Sequence, residues 1–166
     1  MELVFRKAMS SEADIAFKLL KEAAKWLEEK NIDYWQNWHQ PPKEHAAWIH
    51  EGFEEGQFYF VEHSDKVVGM YRLQYDDEIF WGKRNDKAGY IHSFTTDRSL
   101  KGRGIGGKIL EHIERQLREE GINFLRLDCS PNISGLCDYY HKQGFKAVSD
   151  IDLFGEVLTL YEKQFG

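Results

Sequence analysis

The chain has 166 residues, 42% of them hydrophobic and 30% charged, with 22 Lys plus Arg against 28 Asp plus Glu for a net charge of −6. That length suits one domain, 1–166, because a chain of ~150 residues hides roughly 70% of its extended surface; interspersed charge excludes wholesale disorder, and a net acidic chain without a basic tract is a poor general nucleic-acid binder. No run approaches the ~18 apolar residues of a membrane span, and MELVFRKAMS has no apolar stretch of the ~7–15 residues a secretory signal needs, so a cytoplasmic protein without a membrane partner is expected.

Glu2 to Ala8 mixes apolar and charged residues as a short strand does. Ser11 with Asp14 three residues later predicts a capping box, and Ile15, Leu19, Ala23 and Leu27 predict a helix running to about Lys30. Asn31 to Gln40 is a break rich in aromatics. Pro41 and Pro42 suit the first turn of a second helix through about Glu55, with Ala46, Ala47 and Trp48 expected inward. Gln57–Glu62 and Lys66–Tyr75 predict an antiparallel hairpin turning at Ser64-Asp65. A polar stretch, Asp76 to Gly89, leads to a strand over Tyr90–Thr96.

Four of the 14 glycines, Gly102, Gly104, Gly106 and Gly107, then open a helix striped by Ile105, Ile109, Ile113 and Leu117 and ended by Gly121. Asn123–Cys129 predicts a strand, Ser134–Gln143 a short helix, and Phe145–Leu153 with Val157–Phe165 a final antiparallel pair turning at Gly155. The order β-α-α-β-β-β-α-β-α-β-β is an α+β layout with one parallel crossover. Cys129 and Cys137 are too few for a disulfide framework and are expected as reduced, partly buried thiols. His45 and His50, five apart, do not share a helix face, and the seven histidines show no metal-binding spacing, so no metal is expected.

The glycine cluster reads KGRGIGGKIL from Lys101 to Leu110. A nucleotide P-loop is matched by Gly102, Gly107 and Lys108, but Ile109 stands where the metal-binding hydroxyl belongs. The dinucleotide fingerprint is matched by Gly102, Gly104 and Gly107, with Asp128 near the end of the next strand as a ribose acid. That unit needs its first glycine directly after a strand, and here Asp97 to Lys101 intervene. The third reading is a short basic loop at a helix start, where small residues let backbone N–H groups converge on one anion. Arg98, Lys101, Arg103 and Lys108 against Asp97 make residues 97–108 locally +3. A pyrophosphate suits it; a glycine-rich turn with a solvated basic face is the plain alternative.

KGRGIG after YIHSFTTDRSL resembles motif A of the GNAT superfamily of acyl-CoA-dependent N-acyltransferases, [Q/R]xxGx[G/A], with Gly104 and Gly106 at its glycines and Lys101 in place of Arg or Gln. Tyr139 to Phe145, YYHKQGF, resembles that family's second signature, [FY]Yx[KR]xGF. The resemblance implies a single-domain mixed, mostly antiparallel sheet of about six or seven strands flanked by about four helices, with central parallel strands splayed to admit acetyl-CoA. It implies that Phe94 and Thr96 pair with the pantetheine arm like an added strand, that a backbone N–H near Phe94 polarises the thioester carbonyl, and that the loop Lys101, Gly102, Arg103, Gly104, Ile105, Gly106 and Gly107 holds the pyrophosphate. The family often carries an asparagine where Ile133 stands, and the adjacent Asn132 is the candidate contact. Tyr140 takes the position of the acid that protonates the leaving thiolate.

His92, two residues before Phe94 on one strand, is the candidate base, with a hydrogen-bonded core histidine as the alternative; Glu62 is a weaker candidate. Tyr34, Trp35, Trp38 and His39, with Asp76, Asp77 and Glu78, fall where the family borders its acceptor pocket, and would suit a cationic amine. The expected activity is acetyl transfer from acetyl-CoA to a primary amine of a small molecule or peptide, with a homodimer as family habit. A silent acyl-CoA-binding module on the same fold and a nucleotide-binding protein are the rival readings.

Overall fold

The computed structural model describes every residue, Met1–Gly166. Seven strands hydrogen-bond in the order β1-β2-β3-β4-β5-β7-β6. They are β1 (Val4–Lys7), β2 (Phe58–His63), β3 (Lys66–Gln74), β4 (Gly89–Thr96), β5 (Phe124–Cys129), β6 (Lys146–Leu153) and β7 (Glu156–Gln164). Only β4 and β5 run parallel. The helices are α1 (Ala13–Glu29), α2 (Lys43–Glu54), α3 (Glu78–Trp81), α4 (Ile105–Glu119) and α5 (Ser134–Lys142). The backbone packs as two compact units, Met1–Arg72 with Ser93–Gly106, and Leu73–His92 with Gly107–Gly166.

In the first unit, α1 buries Ala16, Leu20, Ala23, Ala24 and Leu27; of the expected stripe Ala23 and Leu27 are buried, while Ile15 and Leu19 are half-buried beside Ala16 and Leu20. Its N-terminus differs from the expected Ser11–Asp14 box. A 3-10 turn over Ser10–Glu12 precedes the helix, and the Glu12 carboxylate accepts the Met9 N–H at 2.8 Å while also binding Arg6. Glu12 wins because it satisfies an orphan helix donor and a cation at once.

The second helix starts at Lys43, after Pro42, and turns Ile49, Gly52 and Phe53 inward. The expected inward set was Ala46, Ala47 and Trp48, but Ala47 is exposed and Trp48 half-buried. Trp48 instead lies under the Arg72 guanidinium, 4.1 Å from its ring centre, and its carbonyl accepts from Arg72 Nη1. Phe53 stacks on Phe58 at 4.3 Å, and Leu20, Ile49, Phe60 and Met70 complete that core. The β2–β3 hairpin turns at Ser64 and Asp65, both with positive φ, the primed turn that matches strand twist.

In the second unit, Ile109, Ile113 and Leu117 of α4 are fully buried, as their spacing predicts. The polar stretch before β4 contains the short α3, so there are five α-helices where about four were expected. β6 and β7 turn at Phe154 and Gly155, again both at positive φ.

Gly52 is where a methyl group cannot be added. A Cβ there would lie 2.5 Å from the Phe58 ring and 2.8 Å from Arg72 Nε. Gly52→Ala should destabilise the protein by about 1–3 kcal/mol through overpacking, read as a lower urea midpoint at unchanged slope.

Candidate active site

β4 changes character along its length. Its parallel pairing with β5 covers Gly89↔Leu125 and Tyr90↔Arg126. Three residues beyond Tyr90, Ser93 adopts φ +54° inside the strand, a left-handed conformation that costs a non-glycine residue about 1 kcal/mol or more. Phe94 and Thr96 are half-buried on the far side of that kink, and the Asp97 N–H donates to the Val68 carbonyl at 2.8 Å.

The loop after β4 is a 3-10 turn, Arg98–Leu100, capped by Asp97, whose carboxylate accepts from the Ser99 N–H and hydroxyl. Gly102 and Gly104 have φ of +88° and +70°, and nothing lies within 4 Å of a Cβ built on either. The chain therefore needs glycine for its conformation, and leaves open space where side chains would project. α4 begins at Ile105, so the N–H groups of its first turn have no intrahelical acceptors and carry the positive end of the helix dipole. This is a fitting cradle for a pyrophosphate. The Arg103 N–H donates to the Leu100 carbonyl at 3.3 Å. Arg98 and Lys101 rest over the Trp26 ring, 4.2 and 5.9 Å from its centre.

His92 lies before the kink. Its Nε2 is 2.8 Å from Asp77 Oδ2, and its Nδ1 is 3.7 Å from Asp128 Oδ2; the three side chains are 10%, 8% and 11% exposed. A carboxylate only accepts, so Nε2 donates to Asp77, and Nδ1 faces a second carboxylate oxygen, that of Asp128. Burial foremost, then the charges of Asp77 and Glu156, push the Asp128 carboxyl up to about 6, against the opposing pull of His92. Phe80 packs on the imidazole at 4.8 Å.

Asp77 is held in place from behind. Arg126, 1% exposed on β5, donates to both Asp86 oxygens at 3.0 and 2.7 Å, to the Tyr90 hydroxyl at 2.8 Å and to Glu162 at 2.7 Å. Its guanidinium also faces the rings of Trp81, Phe124 and Tyr90. These contacts fasten the segment from Asp77 to Ala88 to β4 and β5, and they hold the Asp86 carboxyl well below the usual range, the Arg126 hydrogen bonds foremost.

Tyr140 on α5 is 7% exposed, with Phe145 and Tyr161 rings 5.7 and 6.1 Å away. Asn132 is exposed in the turn before α5, its N–H donating to Ser130 Oγ at 3.3 Å. Gly107 faces Gln143, not open space. Cys129 and Cys137 are both free thiols and meet at 3.7 Å. Glu62, the weaker base candidate, is committed to Arg6 at 3.1 Å. Trp35 and Trp38 pack on the first unit's core, Asp76 and Glu78 are exposed, and His45 and His50 contact Asn37 and Phe17.

Residues 22–145, most of the chain, match the family model described as "Acetyltransferase (GNAT) family". The chain belongs to the GNAT acetyltransferase family. A curated relative, the uncharacterized N-acetyltransferase YesJ of Bacillus subtilis (strain 168), is 22% identical over 149 residues, covering 84% of this chain and 79% of that protein. A GNAT-family acetyltransferase from Listeria monocytogenes superposes with a TM-score of 0.81 at 22% identity, over 99% of this chain and 96% of that one. The PaiA N-acetyltransferase of Thermoplasma acidophilum, solved with coenzyme A, gives 0.67 at 18% identity, over 99% of this chain and 100% of that one. The sheet, with its single parallel pair and its early-ending ladder, is the GNAT fold.

Within this GNAT chain, sequence reading missed how Asp77 and Asp128 flank His92. Asp77 was read as an acceptor-border acid and Asp128 as a ribose acid. The signal was present only in register: His92 follows Tyr90 by two and Asp128 follows Arg126 by two, so all four side chains share a face once Tyr90 pairs with Arg126. The raised Asp128 carboxyl has a stability consequence. Below its unfolded value of 3.8 both states hold the proton, and as pH rises toward about 6 the unfolded chain ionises first, so stability is lost across that window. Wild-type stability relative to Asp128→Asn should fall by about 3 kcal/mol between about pH 3.5 and pH 7, measured by urea unfolding; a constant difference contradicts the assignment.

Proposed function

We propose that the protein is an acetyl-CoA-dependent N-acetyltransferase acting on a primary amine of a small molecule or peptide. The observation that carries this reading is the glycine loop. Two left-handed glycines with open space beside them, in the loop that follows β4 of a GNAT fold, lead into the N-terminus of α4. Acetyl-CoA supplies an acetyl group activated as a thioester. Lys101, Gly102, Gly104, Ile105 and Gly106 hold its pyrophosphate through backbone N–H groups and local positive charge, with Arg103 contributing its side chain. Phe94 and Thr96 offer strand-edge backbone groups to the pantetheine arm, and an N–H beside Phe94 polarises the carbonyl. Gly107 and Asn132 are lesser contacts, one facing Gln143 and the other exposed.

The acceptor arrives as an ammonium, since a free primary amine has a pKa of about 10.4. His92 removes a proton so that the nitrogen lone pair is available; a C–N bond forms as the C–S bond breaks, and Tyr140 returns a proton to the sulfur. The products are an N-acetyl amide, free CoA and one proton. The carboxylates around His92 support a cationic acceptor.

Thioester turnover against a panel of primary amines tests the reading: acetylation of at least one amine is expected, and acetyl-CoA binding without turnover on any amine would favour a silent module. Tyr140→Phe should lower kcat by about 10²–10³ with acetyl-CoA affinity unchanged by calorimetry. Unaltered turnover would remove Tyr140 from the acid role. Gly104→Val should weaken acetyl-CoA binding by about tenfold or more, because it strains the left-handed backbone and fills the cradle.

A further inference from the structure

The chain has two cysteines, and the turn from β5 into α5 brings them together. Cys129 ends β5, where it pairs with Thr159 of β7, and its side chain is fully buried. Cys137 lies in α5 and is half-buried. The two sulfurs meet at 3.7 Å. A disulfide needs about 2.05 Å, so the gap closes by roughly 1.7 Å, the scale of a side-chain rotation with a small shift of the helix start. The two thiols are not equivalent. The Tyr161 hydroxyl hydrogen-bonds to Cys137, whose S–H donates to the Ser130 carbonyl at 3.6 Å. Burial foremost, then the neighbouring Cys137, pushes the Cys129 thiol up, so at neutral pH it keeps its proton. Sealed from solvent, Cys129 is out of an oxidant's reach, and Cys137 is the sulfur that a small oxidant meets. A thiol so exposed, with a second thiol in contact behind it, has its resolving partner already in place. No third His, Asp or Glu joins them in a group that could hold a metal ion, so the chemistry on offer is that of two thiols.

We propose that Cys129 and Cys137 are a site of reversible oxidation by hydrogen peroxide, closing an intramolecular disulfide across residues 130–136. Cys137 reacts first: its thiol and H₂O₂ give a sulfenic acid, Cys137–SOH, and one water. The Cys129 sulfur then attacks the sulfenic sulfur. An S–S bond forms, the S–O bond breaks, and the hydroxyl leaves with the Cys129 proton as a second water. Each sulfur loses one electron, and the two peroxide oxygens take them up. A small thiol reductant restores the pair by two exchange steps, becoming a disulfide itself. The bond ties the end of β5, next to Asp128, to α5 three residues before Tyr140. The site does not depend on the N-acetyltransferase reading.

The test exposes the folded protein to hydrogen peroxide at neutral pH, unfolds it, blocks remaining thiols with N-ethylmaleimide and reads intact and peptide masses. Untreated protein should take up two maleimides. Treated protein should take up none, and its tryptic peptide Leu127–Lys142, which holds both cysteines, should weigh two hydrogens less. Dithiothreitol should restore both thiols, and non-reducing electrophoresis should show no linkage between chains. In Cys129→Ala, dimedone should capture Cys137 as a sulfenic acid. In Cys137→Ala, Cys129 should keep its thiol at the same peroxide dose, with melting curves showing that each variant is folded. Wild type carries the deciding measurement, so a variant that fails to fold leaves the test standing. Two maleimides on treated wild type overturn the proposal. So does sulfinic acid at Cys137 without loss of the Cys129 thiol, or a disulfide found only between chains.

Discussion

A guanidinium buried on β5 organises the surroundings of His92. Arg126 is 1% exposed, and a charge so placed is tolerated only when partners neutralise it and satisfy its donors. Asp86, Glu162 and Tyr90 do both, and three aromatic rings close around the group. The consequence is positional. The segment between β3 and β4 carries mostly polar residues and one short helix, and it would wander without an anchor. Clamped through Asp86, it presents Phe80 and Asp77 to His92. A structural ion pair thereby places a carboxylate against Nε2 of a histidine.

The second constraint is the shape of β4. Its parallel ladder stops at Tyr90, and Ser93 takes a left-handed conformation three residues later. Strain of this kind persists where surrounding structure overdetermines it and where function uses it. Beyond the kink the chain runs into the loop of Gly102 and Gly104 and the start of α4. In the proposed function, backbone N–H groups there and the positive charge beside them supply the anion-binding chemistry. The net charge of −6 therefore averages a basic loop against carboxylates that cluster elsewhere, Asp77 and Asp128 among them.

Elements governed by local periodicity were legible in the sequence. The stripes of α1 and α4, both hairpin turns and the glycine loop follow from spacing and turn chemistry within a few residues. Elements governed by distant partners were not. The inward face of α2 differs because Trp48 serves Arg72, which lies 24 residues away. The capping of α1 differs because Glu12 is recruited by Arg6 as well as by the backbone. Four-residue α3 has too little length to show a period. His92 was visible as a titratable group on a strand, but its two carboxylates depend on the register of β4 against β5 and on the Arg126 clamp, which join residues far apart in the chain. Tyr140 stood out through its signature alone; its packing against Phe145 and Tyr161 needed the fold.

The dependence of His92 on the clamp is open to one direct measurement: the ¹⁵N chemical shifts of its ring in wild type and in Asp86→Asn. Asp86 touches neither His92 nor Asp77, yet it ties their segment to Arg126. In wild type the shifts should report a single neutral tautomer protonated at Nε2 above the ring's pKa. In Asp86→Asn, with the anchor loosened, they should move toward the average of two tautomers. Identical ring shifts in the two proteins would contradict the account, because His92 would then hold its state without Arg126.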